Sequence, residues 1–462
     1  MLRITAASAF VLNSFFAITA ADANDWLRFR GPNGSGISAE SEATPVDWSP
    51  TENLKWKLAL PGPGSSCPIV VGQRVFVTSW SGYGTDRDEP GDQAALRRHL
   101  TCVDRATGDE MWTKTIQPYL PEDVYRGMFA EHGYASHTPV SDGEQVYVFF
   151  GKTGALAFDL EGKQLWHTSV GTESGAKNWG TSSSPILYKN LLIVTASAES
   201  EALVALDKHS GNEVWRQEAA GFNSTWGTPV LVEVDDSRTD LVIAVPGEIW
   251  GFNPETGKLR WYCEAIGSTS FCSSAVARDG MVYAMDTGPG GGGGAAVRAG
   301  GNGDVSETHI VWEGRQSGRI CTPLLHEGRL YGVSRGVFNC FDATTGDELF
   351  KERLTPSAAS ATAAPAAAAG AGQGQPDRGS RRRGRRGGRG QDYSSPVLAD
   401  GKIYFASRGG DIYVLEAGQE FRQLAVNRVT SEKEDFSATP AISRGEIFIR
   451  SDKNLYCVAK SE

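Results

Sequence analysis

The chain has 462 residues, 55 of them Gly and 12 Trp, and a formal net charge of −10. That balance disfavours a nucleic-acid partner for the body of the protein. The Gly- and Trp-rich composition fits many short strands joined by tight turns and excludes a coiled coil or a helical bundle.

Met1–Ala23 reads as a secretory signal: Arg3 is the positive start, Ile4–Ala20 the apolar stretch and Ala21-Asp22-Ala23 the cleavage cue. No Cys sits near that cue, so a lipid anchor is not expected, and the destination is the periplasm or the exterior. Residues 24–52 form an N-terminal extension. Disulfides are permitted in such a compartment. Yet the seven Cys (67, 102, 263, 272, 321, 340 and 457) show no C-x-x-C and no adjacent pair. They read as small buried hydrophobes.

From residue 53 to residue 460 one phrase returns: small residues and Pro, two short strands, an Asp-x-x-Thr/Ser-Gly turn, then Trp. Pro68 pairs with Trp112, Pro139 with Trp166, Pro185 with Trp215 and Pro229 with Trp261. A fifth unit carries Ser274 at the Pro position and Trp312; later units run from Pro323 to Phe350 and from Pro396 to Phe421. The eighth starts at Pro440 and stops three strands later, while Asn53–Leu60 is an orphan fourth strand with its own Trp56. A repeat near 45 residues denotes a propeller or array. The expected fold is all-β: an eight-bladed β-propeller of four-stranded antiparallel blades, its ring closed by the N-terminal strand joining the C-terminal blade.

Four insertions interrupt the phrase: Ser79–Arg98, Gln117–Ala135, Gly288–Gly294 and Thr355–Gln391. By strand order all four leave from one face, since second-to-third and fourth-to-first connections share a face. That face is the expected working surface. Thr355–Gln391 is Ala/Pro-rich and then Arg/Gly-rich, with too few apolar groups to fold, so disorder is expected. Its cations would suit an acidic polymer or membrane headgroups.

The expected ligand or partner face joins Trp179, Trp226, Phe271 and Tyr393, from loops entering the innermost strands, with Lys152, Arg335, Arg408 and Lys453, from the second-to-third turns. Rings and cations on one concave mouth suit a flat anionic ligand. Glu131, His132 and His137 sit close in sequence at the end of an insertion, but zinc needs three converging ligands and they read as ordinary polar loop residues; Asp86–Asp92 lacks calcium-loop spacing, so no metal site and no catalytic residue is assigned.

The unit Ala205-Leu-Asp207-Lys-His-Ser-Gly211-Asn-Glu-Val-Trp215 resembles the pyrroloquinoline quinone (PQQ) repeat, and Trp26-Leu-Arg-Phe-Arg-Gly31-Pro-Asn-Gly34 resembles the opening of secreted bacterial proteins that carry it. The repeat occurs in quinoprotein alcohol dehydrogenases and in the propeller scaffold of the outer-membrane β-barrel assembly machinery. The resemblance implies the fold over residues 53–460. It does not carry over the dehydrogenases' vicinal disulfide, since this chain has no adjacent Cys, and no residues here are assigned to their Glu/Asn/Asp calcium set. The expectation is therefore a secreted or periplasmic, monomeric, non-catalytic propeller that binds a protein or surface polymer through its insertion-bearing face. Two alternatives stay open: a PQQ-dependent oxidoreductase with PQQ and Ca²⁺ in the channel mouth, and a carbohydrate-binding or hydrolytic module.

Overall fold

The computed structural model describes residues 24–38, 42–287, 292–314, 318–363 and 391–460; for 361–363 this covers the backbone. The signal-like segment and the Arg/Gly-rich tract fall outside these residues. Eight antiparallel sheets form the eight blades. Blades 1 to 7 span 69–116, 140–168, 186–218, 230–264, 276–314, 324–353 and 397–427. Blade 8 consists of Ala441–Ser443, Glu446–Arg450, Asn454–Val458 and, from the other end of the chain, Leu54–Ala59, which pairs antiparallel with Asn454–Val458. The split blade is thus completed as the repeat requires, and the sheet ring has no loose end there.

Within a blade the strands are A to D, from the channel outwards. Strands A to C are β-branched and aromatic runs buried on both faces, such as Ile69–Val71 and Leu191–Ala196. Strand D is the outer edge and exposes residues such as Val214 and Leu349.

The recurring Asp-x-x-Thr/Ser-Gly-x-x-x-Trp phrase has a physical reason in two parts. Asp207 accepts from His209 N, Ser210 N and Ser210 Oγ, closing the C–D turn on Gly211 at φ 73°. The indole of the preceding blade then lies on that glycine: a Cβ on Gly211 would sit 2.6 Å from Trp166 Cδ2. Trp166 Nε1 donates to Lys208 O at 2.9 Å. The same stitch joins Trp56 to Arg105 O, Trp112 to Leu160 O, Trp215 to Pro254 O and Trp312 to Ala343 O. It fails once. Blade 5 replaces its C–D turn with an excursion, 299–309, in which Gly303–Asp304 pairs with Trp261 and Tyr262 of blade 4. Trp261 turns inward instead and donates to the buried Asp240 carboxylate at 2.7 Å.

Three details depart from the sequence reading. Strand B of blade 1 runs to Ser81 and strand C starts at Arg97, so the first insertion is confined to 82–96. Ser274 does not hold the Pro position. Ala275 does, because Thr228 N donates to Ser274 Oγ as the matching residue does in every other blade. The A–B/C–D face is not bare either. It carries the 299–309 excursion, and residues 24–38 run across it. Trp26 bridges Val70 of blade 1, Leu27 O accepts from Ser141 N of blade 2, Asn33 reaches Leu231 O of blade 4 and Ile37 bridges Leu398 of blade 7. This segment plugs the channel from below.

Candidate functional site: a blind channel

In each blade the chain enters strand A in an extended conformation, so alternate residues face the channel. The residue before the strand-A Pro (Ala275 in blade 5) forms an inner ring, and its members are linked blade to blade. Cys67 N donates to Thr138 Oγ1, Thr138 N to Ser184 Oγ, Ser184 N to Thr228 Oγ1 and Thr228 N to Ser274 Oγ. Ser274 N donates to Thr322 Oγ1, Thr322 N to Ser395 Oγ, Ser395 N to Thr439 Oγ1, and Thr439 N closes the circle on Cys67 Sγ at 3.2 Å. A small polar side chain, a hydroxyl in seven blades and the Cys67 thiol in the eighth, accepts that N–H in a crowded neck. Two residues earlier comes an outer ring, which includes Trp226, Cys272 and Tyr393.

The rings line a cavity of about 150 Å³, partly open to solvent, with Met128, His132, Trp179 and Arg319 on its wall and Phe29 of the plug on its floor. Trp179 and Trp226 lie 5.1 Å apart, centroid to centroid, with Lys177 Nζ 5.2 Å from one ring and 5.8 Å from the other. Trp226 Nε1 donates to Gly180 O, and the His132 ring, which burial holds below its ordinary pKa, bonds Trp179 O at 2.7 Å and Ser136 Oγ at 2.6 Å. These bonds fix the indole pair. Arg319 has no hydrogen-bond or ion-pair partner among the described residues. The wall contains no Asp or Glu among the described residues.

Both blade 1 insertions stand over this mouth: Tyr83 of the first packs on Tyr134 of the second, and Trp80 at the end of strand B packs on Tyr125 and Tyr134. Glu131 anchors them, pairing with Arg87 at 2.9 Å and with Arg408 of blade 7 at 2.7 Å. Burial opposes the Glu131 charge, but the two guanidiniums outweigh it and hold the carboxyl below its usual range.

The residues expected at the mouth are therefore sorted. Trp179, Trp226 and Tyr393 line the channel. Phe271 is fully buried between blades and contributes its carbonyl, which accepts from Trp226 N. The cause is the register at Ser274: counted from Ala275, the third residue back is Cys272, which faces the channel, and Phe271 points away. Arg408 stacks on Tyr393 at 5.1 Å but is committed to Glu131 and Asp435. Lys152 is buried and paired with Asp123 at 3.0 Å. Arg335 and Lys453 are exposed turn residues away from the cavity wall. Arg319, Lys177 and the hydroxyl ring escaped the sequence reading, although counting back one and three positions from each strand-A Pro would have found the rings. Among the described residues no group of three or more His, Cys, Asp or Glu is placed to hold a metal, and all seven Cys are free. No described helix is long and apolar enough to cross a membrane.

A family model described as outer membrane protein assembly factor BamB matches residues 32–261 and 190–371. Among curated proteins, a polyvinylalcohol dehydrogenase of Pseudomonas sp is 25% identical over 257 residues, 46% of this chain and 36% of that protein. One of Sphingopyxis sp. (strain 113P3) is 24% identical over 294 residues, 54% of this chain and 41% of that protein. The matches thus span about two-fifths of those relatives' length. Among solved structures, BamB from Moraxella catarrhalis superposes with a TM-score of 0.56 at 11% identity, covering 87% of this chain and 98% of that one. A europium-containing methanol dehydrogenase gives 0.59 at 11% identity, covering 93% and 89%. At such identity these likenesses show the fold alone.

Proposed function

Because this chain belongs to the PQQ-repeat propeller family of the assembly factor BamB, we propose that it is a secreted or periplasmic binding propeller without chemistry of its own. Its blind channel takes a flat organic anion, and its insertion-bearing face docks a protein or surface polymer. The observation that carries this is the wall. Trp179 and Trp226 offer ring faces, Arg319 a cation unpaired among the described residues, and the inner ring hydroxyls. No described carboxylate stands there to act as a base or to hold a divalent cation. The aromatic and cationic groups fit the quinone part of a PQQ centre. The donor set does not fit the calcium ion such a centre carries, so the channel is assigned no redox step.

The test is quenching of tryptophan fluorescence by PQQ and by simple aromatic di- and tricarboxylates, without added metal. Saturable quenching that Trp226→Ala and Arg319→Gln each weaken at least tenfold supports the reading; equal binding by both variants overturns it. The polyvinylalcohol dehydrogenase relatives favour a second reading, a quinoprotein oxidoreductase. Dye-linked oxidation of polyvinyl alcohol or a primary alcohol, with PQQ and Ca²⁺ supplied, would establish it in place of the first.

A further inference from the structure

Three arginines near the channel neck are almost fully buried: Arg28 at 9% exposure, Arg30 at 0% and Arg450 at 1%. None is in an ion pair among the described residues, and their hydrogen bonds go to neutral groups. Arg28 donates to Pro229 O, Arg30 to Pro396 O and Ser35 O, and Arg450 to Ser66 O and Ser66 Oγ. Those acceptors have one thing in common. Pro229, Pro396 and Ser66 are each one residue from a member of the inner ring, namely Thr228, Ser395 and Cys67. The guanidiniums therefore stand behind the neck at blades 4, 7 and 1, off the cavity wall itself, and Arg28 and Arg30 are the sequence neighbours of Phe29, the channel floor. Five of their nitrogens have no acceptor among the described residues: Arg28 Nε, Arg30 Nε and Nη1, and Arg450 Nε and Nη2.

The ring above them adds donors. The side-chain oxygens of Ser184, Thr228, Ser274, Thr322 and Ser395 each accept a backbone N–H, and their own O–H groups have no acceptor among the described residues. A buried cation without a counter-charge costs several kcal/mol, and desolvation drives Arg30 and Arg450 down to about 9 and Arg28 to about 10. No carboxylate acts on Arg28 or Arg30, and Asp452 acts on Arg450 only weakly, after burial and the Cys67 thiol. Donors gathered around the neck, with Asp452 beside Arg450 the one carboxylate that acts on any of these arginines, are the chemistry of an anion hole.

We propose that the neck of the channel is an anion site, in which the inner-ring hydroxyls hold a small anion while Arg28, Arg30 and Arg450 supply the compensating charge. The anion is either a free inorganic ion or the carboxylate end of a larger molecule; both meet the same donors. The site shares the inner-ring hydroxyls with the channel reading above, but needs neither Trp226 nor Arg319.

The experiment is thermal unfolding of the mature full-length chain in a series of nitrate, phosphate and benzoate at constant ionic strength, balanced with a bulky organic anion. A saturable rise in Tm, at least tenfold weaker in anion dependence in Arg30→Gln and unaltered in the surface control Arg335→Gln, is expected. A rise with benzoate assigns the site to carboxylates as well; a rise with the inorganic ions alone assigns it to free anions. No saturable rise, or an equal one in Arg30→Gln, overturns the proposal. If Arg30→Gln does not fold, crystals of the unaltered protein soaked in bromide decide it: an anomalous peak in the neck supports the site and its absence refutes it. Loss of quenching at the mouth with the anion effect intact would sink the proposed function and leave this site standing.

Discussion

Truncating Trp215 to Ala is expected to cost about 3–5 kcal/mol. Its indole is 8% exposed, lies on Gly257 and donates to Pro254 O at 3.1 Å. A tryptophan buries roughly 150–250 Å², which at about 25 cal/mol/Å² is about 4–6 kcal/mol. Partial collapse of the site lowers that and the orphaned carbonyl returns about 1 kcal/mol. Trp215→Phe keeps most of the apolar area and loses the N–H, so about 1–2 kcal/mol is expected. Gly257→Ala attacks the same stitch from the other side. The glycine sits at φ 69°, and its new Cβ would lie 2.4 Å from Trp215 Cε3. In the Trp215→Ala background that clash is gone and only the left-handed strain of about 1–2 kcal/mol remains. Urea unfolding of the two single variants and the double variant measures the coupling. A Trp215→Ala cost below about 1 kcal/mol, or strict additivity of the two changes, would refute the view that ring-on-glycine docking holds adjacent blades together.

Further outcomes follow from the same structure. Glu199 is buried with Oε2 unpartnered among the described residues, and burial raises its carboxyl to about 8. A raised carboxyl contributes stability below about pH 4.5 and loses it as pH climbs towards 8. Glu199→Gln should therefore gain roughly 4 kcal/mol at pH 8 over pH 4.5 relative to the parent, at about 1.4 kcal/mol per pH unit; identical pH curves would refute this. His137 runs the opposite way. Burial and the nearby Arg98 keep it neutral in the fold, so its contribution is complete above about pH 6.5 and drains away as pH falls below that. His137→Phe should flatten the acid limb of the Tm curve. In a thiol titration of the native protein only Cys272, the one cysteine that is not fully buried, should react, and slowly, because burial raises its pKa to about 12; all seven react once unfolded. A mouth ligand should protect Cys272. Glu131→Gln should loosen the blade 1 insertion, read as several-fold faster proteolysis between residues 117 and 135.

The repeat was legible in the sequence because each of its residues does a local job that leaves a fixed spacing. Asp207 and Gly211 shape one turn, Trp166 covers that turn from the neighbouring blade, and Pro185 opens the strand. Their recurrence gave the number of blades, the split eighth blade and the face on which the insertions emerge. The site was only partly legible. Trp179, Trp226 and Tyr393 announce themselves by type and place, but the count back from strand A decides which side chains see the channel. A one-residue register error at Ser274 exchanged Cys272 for Phe271. Whether a cation is free depends on partners hundreds of residues away: Arg408 is taken by Glu131, and Arg319 has no such partner among the described residues. The plug shows the limit most clearly. Nothing local to residues 24–38 states that they close the channel, because the bonds that hold them there go to blades 1, 2, 4, 7 and 8, strands that become neighbours only when the ring is complete. Short-range chemistry wrote the blades into the chain; ring closure, which brings the two ends and all eight inner strands to one axis, created the blind channel and its buried arginines.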